Sequence, residues 1–141
     1  MAIEIVKIGR DNVSLLGNVA PDVFDEPIDP ARTAAWLDSP GHHMMLAVAD
    51  GGLVVGMITA MVHRHVDKPT ELYVDEVGVD DAWQRQGIGR RLFDAMLAFG
   101  KEIGCEESWV GTETDNTAAR ALYATRPRTE EGAFVMYLYD L

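Results

Sequence analysis

The segment that decides the fold reads Glu71-Leu-Tyr-Val-Asp-Glu-Val-Gly-Val79 and continues into a turn, Asp-Asp-Ala-Trp-Gln-Arg-Gln-Gly-Ile-Gly89. Its first half is rich in β-branched and aromatic side chains, which predicts a β-strand. Gly78 interrupts this strand, and a glycine there often marks a bulge or a close approach by other backbone. Apolar residues then recur every three or four positions from Ile88 to Ile103, which predicts an amphipathic helix.

The turn between this strand and helix has the properties of an anion-binding site. Gly87 and Gly89 let backbone N–H groups converge at the helix N-terminus, the positive end of the helix dipole. Cations are unfavourable at that end, yet three arginines crowd it: Arg85, Arg90 and Arg91. An anionic ligand would resolve the conflict, and a solvated helix face is the alternative. The turn is neither a dinucleotide fingerprint, since Leu92 replaces its third glycine, nor a Walker loop.

Gln84, Gly87 and Gly89 match the signature Gln/Arg-x-x-Gly-x-Gly/Ala, through which the chain resembles the GNAT acyltransferases. The resemblance implies that the turn binds the pyrophosphate of acetyl-CoA and that the preceding strand binds its pantetheine arm. It implies the following cofactor-binding residues: Val77, Gly78, Val79, Gln84, Arg85, Gln86, Gly87, Ile88, Gly89, Arg90, Asn116 and Tyr123. We further expect backbone N–H groups of residues 77–79 to polarise the thioester carbonyl.

The rest of the chain predicts one α/β domain over residues 1–141, with a mixed, mostly antiparallel sheet flanked by helices. The element order β-α-α-β-β-β-α-β-α-β is similar to the GNAT fold from end to end. The family usually has a further strand at Ala124–Gly132, but that segment is polar here and a missing strand or a loop is expected. The other predicted strands are Ile3–Ile8, Met44–Ala49, Leu53–His65, Glu107–Thr112 and Ala133–Tyr139, and the other helices begin near Asp11, Pro30 and Asn116.

Composition excludes several classes of partner. With 23 acidic and 12 basic residues and a net charge of −11, nucleic acid and anionic membranes are poor partners. No apolar run approaches the roughly 20 residues that span a bilayer, and the N-terminus does not resemble a signal peptide. Cys105 is the single cysteine, which predicts no internal disulfide and a cytoplasmic location. The acidity suits a cationic partner or serves solubility alone.

Glu76 is the first candidate for a general base. Acyl transfer from a thioester to an amine needs a neutral amine, and a carboxylate in a partly desolvated cleft can have the raised pKa that suits a base. Aminoglycoside acetyltransferases of the GNAT family often carry Asp or Glu at the matching place. Asp75, expected on the opposite face of the strand, is the weaker candidate. A solvated carboxylate is the alternative for both.

Tyr123 is the candidate general acid. Asn116, Ala119, Leu122 and Tyr123 match the Asn…Ala…Leu-Tyr segment of the GNAT family. The resemblance implies that Tyr123 protonates the departing CoA thiolate and that Asn116 contacts the pantetheine arm. A tyrosine that only packs is the alternative.

Two histidines, His63 and His65, are spaced to lie on one strand face and form a possible metal pair. The sequence marks no third ligand, so we expect no metal. A role in lining the groove, or simple exposure, is the alternative.

An acidic loop supplies the substrate prediction. Polyamines and aminoglycosides carry several ammonium groups that need several carboxylates, and the substrate-binding candidates are Asp22, Phe24, Asp25, Glu26, Asp75, Glu76 and Asp140. The segments Val23–Pro27, His42–His43, Asp67–Leu72 and Asp75–Val79 resemble type I aminoglycoside 3-N-acetyltransferases, which implies acetylation of a 3-amino group. Another small polyamine or a protein amine, or a non-catalytic CoA-binding module, remains open. Relatives are commonly dimers, so a homodimer is expected.

Overall fold

The computed structural model describes residues 2–141 and contains one five-stranded sheet with strand order β1-β2-β3-β4-β5. Adjacent strands are antiparallel except β4 and β5, which are parallel. The predicted mixed, mostly antiparallel sheet is therefore confirmed. The strands are β1 Glu4–Lys7, β2 His42–Val48, β3 Val54–His63, β4 Glu71–Val79 and β5 Glu107–Val110, and the helices are α1 Pro30–Asp38, α2 Ile88–Glu102 and α3 Thr117–Tyr123.

The chain divides into two compact units, Met1–Gly111 and Thr112–Leu141, which are described separately. The first holds the whole sheet with α1 and α2, and the second holds α3 and the C-terminal segment. None of the helices within residues 2–141 combines the length and the apolar content that crossing a membrane requires.

Helix α2 covers one face of the sheet, as its apolar stripe predicts. Ile88, Leu92 and Met96 are at most 2% exposed, and each such burial contributes roughly 1.5–3 kcal/mol relative to an exposed side chain. A Cβ added to Gly56 on β3 would lie 3.1 Å from Leu92 and 3.2 Å from Ile88. The small residue therefore lets helix and sheet approach closely.

The opposite face of the sheet is covered by the loop that precedes α1. Val23 is 2% exposed and belongs to a buried cluster with Ala20, Leu46 and Met57. Helix α1 then begins at Pro30, where Asp29 accepts a hydrogen bond from the Arg32 N–H at 2.8 Å. The loop and the helix start therefore lie where the prolines and the capping acid predict them.

The predicted last strand, Ala133–Tyr139, is not formed. Its apolar side chains are exposed, from 64% for Phe134 to 85% for Leu138. An alternating apolar pattern supplies strand propensity, but a strand also needs a neighbour that takes up its backbone hydrogen bonds. No described segment within residues 2–141 pairs with it. Residues 124–132 also form no strand, in line with the expected departure from the family pattern.

Candidate active site

A β-bulge in β4 determines where the candidate base points. Thr59 pairs with Glu76 whereas Ala60 pairs with Val74, so Asp75 is an extra residue on β4. Side chains alternate between the two faces of a strand, and an extra residue shifts that alternation. The bulge therefore turns Glu76 away from the α2 face, where Val74 is buried.

The prediction that Asp75 and Glu76 lie on opposite faces is wrong for the same reason. Asp75 accepts a hydrogen bond from Tyr73, and its charge acts directly on Glu76. Partial burial is the largest cause that raises the Glu76 pKa, followed by the negative charges of Asp75 and Asp25. Three carboxylates thus act on one another at the bulge, and a raised Glu76 pKa is the direction that suits a general base.

Asp25 lies close enough for its charge to act on Glu76 because the loop before α1 packs directly against β4. A Cβ added to Gly78 would lie only 2.3 Å from the backbone oxygen of Val23, so the two backbones touch. The close approach predicted for Gly78 is confirmed. Phe24 packs against the buried cluster beneath the loop, and the acidic residues Asp22, Asp25 and Glu26 are carried on it.

Asp80 is a second contact that holds the loop before α1 against the end of β4, and no sequence pattern was used to predict it. It is 4% exposed and accepts hydrogen bonds from the Asp22 N–H at 3.1 Å and the Ala82 N–H at 3.2 Å. The bond to Ala82 caps the short 3₁₀ turn Asp81–Trp83. An acid directly after a strand and before a turn is a capping signal, so the sequence did contain this information.

The C-terminal half of β4 has an open edge in the first unit. β5 pairs only with Glu71–Val74, while β3 pairs with β4 as far as Val79. Alternate N–H and C=O groups of residues 75–79 therefore have no strand partner on the β5 side. An extended ligand such as a pantetheine arm fits an edge of this kind because it can add its own amide hydrogen bonds.

The turn after β4 has the backbone conformation of an anion site. Arg85 has φ 62° and Gly87 has φ 78°, both left-handed. The first hydrogen bond of α2 runs from the Arg91 N–H to the Gly87 oxygen, so the N–H groups of Ile88, Gly89 and Arg90 have no partner inside the helix. A left-handed residue at Arg85 costs about 1–3 kcal/mol, and such strain is concentrated at ligand sites.

The side chains of this turn have different roles. Gln84 closes the turn, since its Nε2 donates to the Val79 oxygen and to Asp81 Oδ1, both at 3.2 Å. The side chains of Arg85 and Gln86 are exposed. Arg90 Nε lies 3.8 Å from Asp94 Oδ2. Arg91 donates to the Ile3 oxygen at 2.8 Å. The expectation that Arg91 joins the other two arginines at an anion therefore needs correction, because it anchors the N-terminal segment.

Three of the predicted site residues belong to the second unit. Asn116 Oδ1 accepts a hydrogen bond from the Ala119 N–H at 3.0 Å and so caps α3. Tyr123 is the last residue of α3 and is partly buried, and Asp140 lies in the exposed C-terminal segment. The cap explains the local need for an asparagine before this helix.

Thr59 is a candidate site residue that no sequence pattern indicated. It is the register partner of Glu76, and its Oγ1 is buried without a hydrogen-bond partner in the described part of the chain. A buried unpaired hydroxyl costs roughly 1–3 kcal/mol. Such a group beside a candidate base is suited to hold a buried water.

We expect Thr59→Val to stabilise the folded protein and to slow the reaction. Valine keeps the shape and removes the unpaired hydroxyl, so the free energy of unfolding should rise by about 1 kcal/mol while kcat/KM falls. Denaturant unfolding and steady-state kinetics measure the two effects. A variant with lower stability and full activity would contradict this role. Thr33→Val is the control, since its hydroxyl donates to the Asp29 oxygen at 2.9 Å and its loss should not stabilise.

The bulged fourth strand, its open edge and the glycine turn that starts α2 are the features on which the resemblance to the GNAT family rests. The chain belongs to the acetyltransferase (GNAT) family, whose model matches residues 13–126. The family predicted from the turn is therefore confirmed.

Relatives in sequence include two kinds of acetyltransferase. The chain is 38% identical over 101 residues to the N-alpha-acetyltransferase RimI of Mycobacterium tuberculosis, covering 72% of this chain and 61% of that protein. It is 36% identical over 105 residues to a mycothiol acetyltransferase of Pseudarthrobacter chlorophenolicus, covering 72% of this chain and 31% of the relative.

Solved structures confirm the fold. An aminoglycoside acetyltransferase, meta-AAC0020 from an uncultured soil metagenomic sample, superposes with a TM-score of 0.84 at 23% identity, covering 99% of this chain and 96% of that one. The aminoglycoside N-acetyltransferase AAC(6')-Iy in complex with CoA has a TM-score of 0.77 at 18% identity, covering 98% and 95%.

Proposed function

We propose that the chain transfers the acetyl group of acetyl-CoA to an amine of a polycationic small molecule, an aminoglycoside. The observation that carries the proposal is the gathering of Asp25, Asp75 and Glu76 at the bulge, beside the open edge of β4. A ligand with several ammonium groups matches several carboxylates. Solved structures of this fold include an aminoglycoside acetyltransferase in complex with sisomicin, which supports the choice of substrate.

The proposed reaction is direct transfer in a ternary complex. The turn at residues 84–90 holds the diphosphate of CoA, and N–H groups of residues 77–79 bind the thioester oxygen. Glu76 takes a proton from the acceptor ammonium, directly or through water. The amine nitrogen then bonds to the carbonyl carbon, the C–S bond breaks, and the sulfur takes a proton from Tyr123. The second proton lost by the nitrogen restores the phenol, and Glu76 releases the first to water.

Tyr123→Phe tests the acid. Loss of the phenol should lower kcat roughly 10²-fold, the lower end of general acid catalysis, with little change in the KM for either substrate. Steady-state kinetics with both substrates varied measures this. Unchanged kcat would assign protonation of the thiolate to water. Tyr139→Phe, an exposed tyrosine of the C-terminal segment, is the matched control.

The acceptor position is proposed to be the 3-amino group. The resemblance of Val23–Pro27, His42–His43, Asp67–Leu72 and Asp75–Val79 to the 3-N-acetyltransferases supports this position. The structural neighbour AAC(6')-Iy is named for a different position. NMR of the acetylated product locates the new amide carbon. An amide at the 6' position would keep the substrate class and overturn the position.

A second candidate is acetylation of protein N-termini, because RimI of M. tuberculosis is 38% identical to this chain. A thiol-release assay over aminoglycosides, polyamines and N-terminal peptides separates the two candidates. We expect release with aminoglycosides. Release with peptides alone would favour the RimI-like activity, and tight CoA binding without release against any amine would indicate a non-catalytic module.

We also propose a cytoplasmic homodimer. Cys105 is free, which suits a reducing compartment.

The exposed apolar run at residues 133–139 supplies a surface that a second copy would cover. Light scattering after size exclusion should give twice the monomer mass, and a monomer at assay concentration would contradict the proposal.

A further inference from the structure

A second cluster of side chains lies at the other end of β4. His63 Nδ1 is 3.3 Å from Glu71 Oε1, and His65 Nε2 is 2.9 Å from the same oxygen. The two imidazole rings lie with centroids 4.1 Å apart. Two ring nitrogens and one carboxylate oxygen therefore converge, and all three lie within 4.8 Å of one another.

The fold explains why these three residues meet. His63 ends β3 and Glu71 begins β4, where they are register partners, so their side chains face each other across the strands. His65 lies in the connecting segment and reaches back to the same carboxylate. The side chains of His65 and Glu71 are only 17% and 15% exposed, so packing fixes them, while His63 is 54% exposed and leaves one side open to water.

Two of the three separations between these atoms are compatible with a metal site. Zinc binds histidine nitrogen and carboxylate oxygen at about 2.0–2.2 Å, which at a tetrahedral angle separates neighbouring ligand atoms by roughly 3.3 Å. The two observed separations from Glu71 Oε1, 2.9 and 3.3 Å, are close to this value. Glu107 pairs with Glu71 across β4 and β5, within hydrogen-bonding reach of its carboxylate. The hydrogen bond with His65, and then that with Glu107, lower the pKa of Glu71, and the ionised carboxylate they favour is the form that binds a metal.

We propose that His63, His65 and Glu71 bind a zinc ion, with water as the fourth ligand and Glu107 as the carboxylate that supports Glu71. The sequence predicted no metal because it marked only two ligands, and strand pairing supplies the third. Glu71 lies five residues before Glu76, about 16 Å along the strand. The ion therefore clamps the segment between β3 and β4 and takes no part in acetyl transfer.

Zinc titration of the full chain tests the site. The protein is prepared without a histidine tag, stripped with a chelator and titrated with ZnCl₂ in a calorimeter, and then with Co²⁺ followed by visible absorption. We expect one equivalent of each ion, absorption typical of four-coordinate Co²⁺, and a Tm that rises with zinc concentration. His65→Ala and Glu71→Gln should weaken zinc binding roughly 100-fold or more, beyond the cost of a lost outer-shell partner.

His42→Ala is the matched control, because this histidine lies on β2 opposite Met61 and should leave zinc binding unchanged. Circular dichroism before titration checks that each variant is folded, and His63→Ala, at an exposed side chain, replaces any variant that is not. The proposal is overturned if the wild type shows no saturation at one equivalent. Equal zinc affinity in Glu71→Gln and wild type would also overturn the proposal. The cluster would then be an ion pair between the two histidines and Glu71 without a metal.

Discussion

Glu76→Gln is expected to lower kcat/KM roughly 10²–10⁴-fold, the usual scale of a lost general base. Glutamine keeps the size of the side chain but cannot accept the proton of the acceptor ammonium. Glu76 is well placed for that proton because the bulge turns it to the same side as Asp75, and because Asp25 adds a third carboxylate nearby. Steady-state kinetics with acetyl-CoA and an aminoglycoside measures the loss.

Glu4→Gln is the matched control for this variant. Glu4 begins β1 and is exposed, so its loss should leave both kcat/KM and thermal stability unchanged. Activity of Glu76→Gln close to wild type, with the same pH profile, would exclude Glu76 as the base. A loss of activity together with a large loss of stability would indicate misfolding, which a thermal unfolding curve detects.

Asp75→Asn should shift the pH profile without removing the base. The negative charge of Asp75 is one of the causes that raise the Glu76 pKa, so its removal lowers that pKa. The base is then ionised at lower pH, and the acid limb of kcat/KM moves to lower pH. A limb that stays in place would mean that a group other than Glu76 controls it.

The glycine turn was predictable because its information is local. A glycine turn after a strand and before an amphipathic helix fixes the backbone over a few residues, and the structure has Gly87 with φ 78° at the N-cap of α2. The order of the first five strands followed from periodicity for the same reason, whereas the helix predicted near Asp11 is the 3₁₀ turn Val13–Gly17 and the last predicted strand is not formed. The whole of β4, from Glu71 to Val79, was predicted with its observed bounds.

The surroundings of Glu76 were less predictable because they depend on pairing between distant segments. Strict alternation along β4 placed Asp75 and Glu76 on opposite faces, and only the register with β3 reveals the bulge. The unpaired hydroxyl of Thr59 and the third ligand Glu71 likewise follow from strand pairing. The run at residues 133–139 shows the converse case, in which strand propensity is present but no described partner exists.

Gly78→Ala is expected to have the second largest effect, on stability and on acceptor binding together. The new Cβ would lie 2.3 Å from the backbone oxygen of Val23, and a backbone atom cannot rotate away as the end of a side chain does. Overpacking of this kind costs about 1–3 kcal/mol. Denaturant unfolding should show that loss, whereas Gly17→Ala, where a Cβ meets nothing within 4 Å, should stay within about 0.5 kcal/mol of wild type.

The kinetic effect of Gly78→Ala tests whether the acidic loop serves the acceptor. The displaced loop carries Asp25, which acts on Glu76, and it remains tethered at Asp80 through the Asp22 N–H. Gly78 also lies among residues 77–79, whose N–H groups are proposed to bind the thioester oxygen, whereas the glycine turn proposed to hold the diphosphate is not part of this contact. We therefore expect both KM values to rise, and the KM for the aminoglycoside to rise more than the KM for acetyl-CoA. Equal increases in both would mean that the loop serves the cofactor as much as the acceptor, and that the acidic residues on it do not select the substrate.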